Sequence, residues 1–150
     1  MIQCDAEINQ FVEDIWSTFV NMPVTSTDKP FQTKGEGNTL AGCIQITGEW
    51  QGSVVLYIPH DLGKKIAATM FSLNESDVDD QQVKDITGEI TNIIAGNIKS
   101  ILPPPCTISL PSVAVTDDNL HHPGSEILTS VTFDCEGMQF LVVMLQEDSK

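Results

Sequence analysis

Between Ser76 and Pro103 isoleucine recurs at helical spacing, and this repeat constrains the fold more than any other feature of the chain. Val83, Ile86, Ile90, Ile94, Ile98 and Ile101 fall on one side of a helix. Ser76 is the expected N-cap, with Asp77, Asp79 and Asp80 in the first turn, where the helix dipole favours anions. Pro103, Pro104 and Pro105 end the helix. An apolar stripe of that length needs a surface to bury it, and the flanking segments offer a sheet. Gly42–Trp50 and Ser53–Ile58 read as paired strands around a Gln51-Gly52 turn, and Pro59 stops the second. After the prolines come Cys106–Leu110, Ser112–Thr116, Ile127–Cys135 and Met138–Leu145. Glu136-Gly137 marks a hairpin between the last two.

Two further helices are expected. One covers Ala6–Met22, with Ile8, Phe11, Val12, Ile15, Phe19 and Val20 in register and Pro23 as its stop. A shorter one follows Pro59, with Leu62, Ile66, Ala67, Met70 and Phe71 on one side, and His60 reads as its start. Residues 24–39 and 117–125 carry no period and read as loops. The order predicts an α+β fold: a largely antiparallel sheet joined by hairpins, with packed helices, one of them long. At 150 residues a single domain, 1–150, is expected.

The face opposite the isoleucines is unusual. Asp85, Glu89, Asn92 and Gly96 fall within an arc of roughly 60° on an α-helix, with the isoleucine face centred roughly 140° away. Most helices have a solvated polar face, so spacing alone says little. Like charges at i and i+4, as in Asp85 and Glu89, disfavour a helix. Gly88 and Gly96 each cost about 1 kcal/mol against alanine in a helix interior. Small residues beside a polar stripe suggest that another surface approaches the backbone, and locally unfavourable choices of this kind concentrate at functional sites.

Charge narrows the partners. There are 21 acidic and 7 basic residues, giving a net charge of -14, and every basic residue is lysine. That balance argues against nucleic acid and against anionic membrane surfaces. Without arginine the chain has no bidentate clamp for phosphate. The longest apolar run, Phe140–Leu145, is far too short to span a bilayer, and the N-terminus shows no secretory pattern, so a cytoplasmic protein is expected. Cys4, Cys43, Cys106 and Cys135 form no CxxC pair; they are expected to be reduced, with Cys43, Cys106 and Cys135 as small core residues.

The pattern Asp85-x3-Glu89-x2-Asn92-x3-Gly96-Asn97 on a long amphipathic helix resembles the CheX members of the CheC–CheX–FliY phosphatase family of bacterial chemotaxis. Gly48-Glu49-Trp50-Gln51-Gly52-Ser53-Val54 is similar to the hairpin before that motif, and Ser109-Leu110-Pro111-Ser112-Val113 to the strand pair after it. The resemblance implies hydrolysis of the aspartyl phosphate on a CheY-type response regulator. It makes Asn92 the group that orients the attacking water and Glu89 the group that pairs with the regulator's lysine. Asp85, Gly88 and Gly96 become partner-binding positions. An acyl phosphate is already reactive, so a positioned water suffices. The chain then needs no cofactor or metal of its own, with Mg2+ held by the regulator. The resemblance also implies a homodimer.

CheC-like members carry two such motifs. The nearest second candidate here, Glu7-Ile8-Asn9-Gln10, has glutamine in the asparagine position and reads as part of a core-facing helix, leaving one site per chain. Asn97 lies nearer the isoleucines and is expected to have a buried hydrogen-bond partner rather than a catalytic role. His121 and His122, beside Asp117 and Asp118, lack standard ligand spacing, so no metal is assigned to them. Trp50 reads as packing, and Lys64 with Lys65 is too small a pair for an anion surface. The alternative to an enzyme is a non-catalytic interaction module of the same fold in a chemotaxis or flagellar-switch assembly. Lys150 closely follows the last expected strand, so the further domain that such switch components carry is not expected, and the enzyme is favoured. A plain ligand-binding α+β domain finds no glycine-rich loop or convergent polar cluster in its support.

Overall fold

The computed structural model describes residues 4–32, 39–116 and 125–147. The elements in chain order are α1 (Asp5–Ile15), β1 (Thr25–Thr27), β2 (Thr39–Gly48), β3 (Gly52–Pro59), α2 (His60–Phe71), α3 (Asp80–Lys99), β4 (Cys106–Ile108), β5 (Ser112–Thr116), β6 (Ser125–Cys135) and β7 (Met138–Glu147). The strands form one seven-stranded sheet in the order β1-β6-β7-β3-β2-β4, with β5 also paired to β2. Every pairing is antiparallel. The fold is the α+β arrangement expected, with α3 packed on β2 and β3 and bounded by α1 and α2. No helix among the described residues is long and apolar enough to cross a membrane.

β3 is the middle of the sheet. All eight of its residues are buried, as its continuous Val54–Ile58 run demands. Its even-numbered positions Val54, Leu56 and Ile58 join the main core under the helices, while Val55 and Tyr57 face a smaller cluster on the other side with Leu141, Val143 and Leu145. The β6–β7 hairpin closes on Glu136 and Gly137, both with positive φ (53° and 77°). That geometry is the two-residue turn whose twist matches the strands.

Several boundaries differ from those expected of the sequence. The first helix changes character after Ile15: Trp16–Val20 is a π-helical turn, closed by Asn21 in the left-handed region with its N–H on the Trp16 carbonyl at 2.6 Å. The wider turn breaks the 3.6-residue phase, so Phe19 is left exposed while Trp16 is fully buried. Trp16 instead stacks on Phe140, with ring centroids 4.6 Å apart. Thr25–Thr27, within the expected loop, is a short edge strand on β6. β2 begins at Thr39 and stops at Gly48, earlier than expected at both ends.

α3 starts at Asp80 rather than near Ser76. Asp79 is its cap: the Asp79 carboxylate accepts from the Gln82 N–H at 2.8 Å, and the Gln82 side chain accepts from the Asp79 N–H at 3.0 Å. This reciprocal pair outcompetes serine at 76. Val78 and Val83, at the two positions of a hydrophobic staple around that cap, are both in the core. The helix ends at Lys99, so Ile101 falls beyond it and is exposed.

All four cysteines are free thiols. Cys43 is only half-buried, on the sheet face away from the helices, because its strand position alternates with Ile44. Burial raises the thiol pKa of Cys43 and Cys135, which favours the protonated form.

Candidate active site

α3 holds the polar stripe rigidly because its other faces are fully committed. Ile90, Ile94, Ala95 and Ile98 have no exposed surface, and Thr87 and Thr91 are equally buried. The two threonine hydroxyls donate back to the Val83 and Thr87 carbonyls at 2.8 and 2.7 Å, so their burial leaves no polar atom unpaired. The helix can press this close to the sheet because β2 offers Gly42 beneath it. A Cβ built there would overlap the Thr91 hydroxyl and lie 3.2 Å from Thr91 Cβ.

On the outward side Asp85, Glu89 and Gly96 are exposed and Asn92 is half-exposed. Asp85 is steadied by the Gln81 side chain, whose Nε2 donates to Oδ1 at 2.8 Å. Glu89 and Asn92 make no side-chain hydrogen bond or ion pair among the described residues. Above Gly96 there is open space: a Cβ there would meet nothing within 4 Å. Four of the five site positions read from the sequence therefore share one accessible face of one helix.

Gly88 differs. It is buried, and the surface that approaches it belongs to this chain: a Cβ at Gly88 would lie 3.4 Å from Val113 and 3.5 Å from Pro111. Its smallness is accounted for by internal packing, so it is not an open contact position like Gly96. Asn97 also departs from expectation: it is half-exposed, and its side chain has no hydrogen-bond partner among the described residues.

The contact at Gly88 creates something the sequence did not show. β4 and β5 lie end to end along the outer edge of β2, pairing with Ile46–Gly48 and with Thr39–Cys43 respectively. Between them residues 109–111 leave the ladder, and Pro111 leans over α3. The result is a groove of about 480 Å³ lined by Gln81, Lys84, Asp85, Gly88, Glu89, Pro111 and Val113. Pro111 lies far along the chain from Glu89, so no local pattern could have joined them.

Trp50, His60 and Lys65 have structural roles. Trp50 is buried, with its ring against Gly52. His60 opens α2 and its Nε2 lies 3.0 Å from Asp80 Oδ1, tying the starts of α2 and α3 together. Lys65 pairs with Glu75 at 3.3 Å on the surface. Ile8, Val12 and Ile15 turn α1 to the core, whereas Glu7 and Gln10 point to solvent. Gln10 donates to Asp14 Oδ1 at 2.9 Å, so its amide is already engaged within the helix. His121 and His122 lie outside the described residues. Among the described residues no group of three His, Cys, Asp or Glu side chains is placed to share a metal.

Known structures share this fold. No curated protein matches the chain. Among solved structures, chemotaxis protein CheX from Vibrio vulnificus superposes with a TM-score of 0.74 at 19% identity, over 95% of this chain and 98% of that one. CheX from Desulfovibrio desulfuricans gives 0.70 at 24% identity, over 94% and 99%. A CheX–CheY–BeF3–Mg2+ complex from Borrelia burgdorferi gives 0.71 at 18% identity, over 95% and 98%. At these identities the likeness is one of fold. Residues 40–148, which include all of α3 and the groove, match the family model for chemotaxis phosphatase CheX. The chain belongs to the CheX family of chemotaxis phosphatases.

Proposed function

We propose that this chain hydrolyses the aspartyl phosphate of a CheY-type response regulator, with Asn92 orienting the water and Glu89 pairing with the regulator's lysine. The observation that carries this reading is the state of those two side chains. They are accessible and uncommitted among the described residues, on a helix whose opposite face is fixed in the core. A carboxamide has both donor and acceptor groups, so Asn92 can hold a phosphoryl oxygen and the water at once. No group with a pKa near neutrality is needed, because the acyl phosphate is an activated leaving group and positioning is the remaining requirement. The Glu89 carboxylate complements an ammonium group. Asp85, held by Gln81, extends the anionic edge, and the space above Gly96 admits a partner's backbone.

The choice of partner is supported by the Borrelia burgdorferi relative, which was solved with CheY. The Mg2+ of the reaction is assigned to the regulator, and the chain to the cytoplasm, where response regulators work. Phosphate release from a phosphorylated CheY-type receiver domain, with and without the protein, tests the reading. Accelerated release is expected. Binding without acceleration would make the chain a non-catalytic interaction module instead.

The reading includes a homodimer with both stripes exposed. The outer edges of β4 and β5 carry no strand among the described residues, and unpaired edges invite pairing across an axis. Light scattering at micromolar concentration should give twice the chain mass. A monomer with full activity would remove the dimer.

A further inference from the structure

The junction between β4 and β5 presents Leu110, the most exposed large apolar side chain among the described residues, at 89%. Its backbone is fixed on both sides. The Ser109 N–H donates to the Gln45 carbonyl at 2.9 Å, and the Gln45 N–H donates to Ser109 Oγ at 3.0 Å. On the other side Pro111 restricts the preceding residue to extended conformations and packs over Gly88. Leu110 is thus held out from a braced turn at the lip of the groove that Asp85 and Glu89 line.

A single exposed leucine is ordinary on a protein surface. Its setting here is not. With a net charge of -14, long-range forces oppose approach to an anionic phosphorylated site. An exposed ion pair through Glu89 adds little affinity. Binding then has to draw on apolar burial near the centre of the contact. Of the exposed large apolar side chains, Leu110 is the one bonded directly to a groove-lining residue. Lys84, the one cation lining the groove, makes no ion pair among the described residues and suits an acidic partner surface.

Resting on the phosphatase reading above, we infer that Leu110 is the apolar anchor for the receiver domain. The regulator then lies across the groove on the Pro111 side of the stripe, and Leu110 contributes to binding but not to the chemical step.

The test uses a CheY-type receiver domain from the same organism, loaded with beryllofluoride and Mg2+ and titrated by calorimetry, together with steady-state turnover of the phosphorylated form. Leu110→Ser should weaken binding about tenfold and raise KM in proportion, with kcat unchanged within about twofold. Leu110→Met keeps the apolar volume and should bind like the parent. The side chain's exposure keeps folding out of the comparison. If Leu110→Ser binds as tightly as the parent while the parent is an active phosphatase, the anchor is overturned and the enzyme stands. If the parent binds without releasing phosphate and Leu110→Ser binds weakly, the anchor stands and the enzyme falls. A loss of kcat with unchanged binding overturns the anchor. So does a change in the free protein's oligomeric mass with binding intact, which would make a second copy the occupant. A parent that does not bind any such receiver overturns both.

Discussion

Asn92→Ala should lose about 10²–10³ of the accelerated hydrolysis, roughly 3–4 kcal/mol of transition-state stabilisation, while still binding the phosphorylated regulator. The structure makes this a clean substitution. Asn92 is half-exposed and has no internal hydrogen bond among the described residues, so its removal leaves no orphaned partner. Alanine is also the better helix former, so α3 is not weakened. Folded-state stability should stay level or rise slightly. The loss should therefore appear in kcat, with affinity for a beryllofluoride-loaded regulator nearly intact. Full turnover by Asn92→Ala would remove Asn92 from the chemistry and the water-orienting role with it.

The second large effect lies beneath the site. Gly42→Ala places a methyl group against the Thr91 hydroxyl and 3.4 Å from Thr87 Cγ2, at a point where nothing is exposed and both neighbours are β-branched. A β-branched side chain in a helix has little rotamer freedom with which to yield. Overpacking of this kind should cost about 3 kcal/mol. At this chain length that lowers Tm by roughly 6–12 °C. Because Thr91 adjoins Asn92, the displaced helix should lose activity as well. Thr91→Ala removes the obstructing hydroxyl without stranding a carbonyl, since Thr87 O keeps its helical N–H. The double variant should then be more stable than Gly42→Ala alone, giving a favourable coupling in a double-mutant cycle by chemical denaturation. Additive losses would mean that α3 and β2 do not meet at these residues.

What was legible in the sequence was whatever one element encodes by itself. The period of α3 buries Ile90 and Ile94 and turns Glu89 outward with no help from the rest of the chain. The Glu136-Gly137 hairpin depends only on two residues that accept positive φ. What was not legible required knowing a neighbour distant in sequence. Gly88 reads as a vacancy for a partner until Pro111 is seen above it. The pairing of Thr25–Thr27 depends on β6, near the other end of the chain. The π-helical turn is a third kind of miss: Phe19 has the right period for the core, but one widened turn gives that place to Trp16 and Phe140. The cap of α3 differs from expectation for a local reason: Asp79 and Gln82 carry a capping-box pair, and Ser76 has no such partner in its helix.

The position of β3 bears on how the protein is made. Its eight buried residues sit between β2, synthesised just before it, and β7, synthesised only after α3 and β6. On the ribosome the glutamate–asparagine helix can wind as soon as it emerges, but the sheet beneath it has a bare edge until Met138–Glu147 arrives. For that interval the Val54–Ile58 run is an open template for pairing with other nascent chains. Closing it demands a long loop in the chain, which is the slow kind of contact to form. A prematurely terminated product would carry every residue of the motif and lack its support. The motif helix therefore gains its full support only once the β6–β7 hairpin has been made.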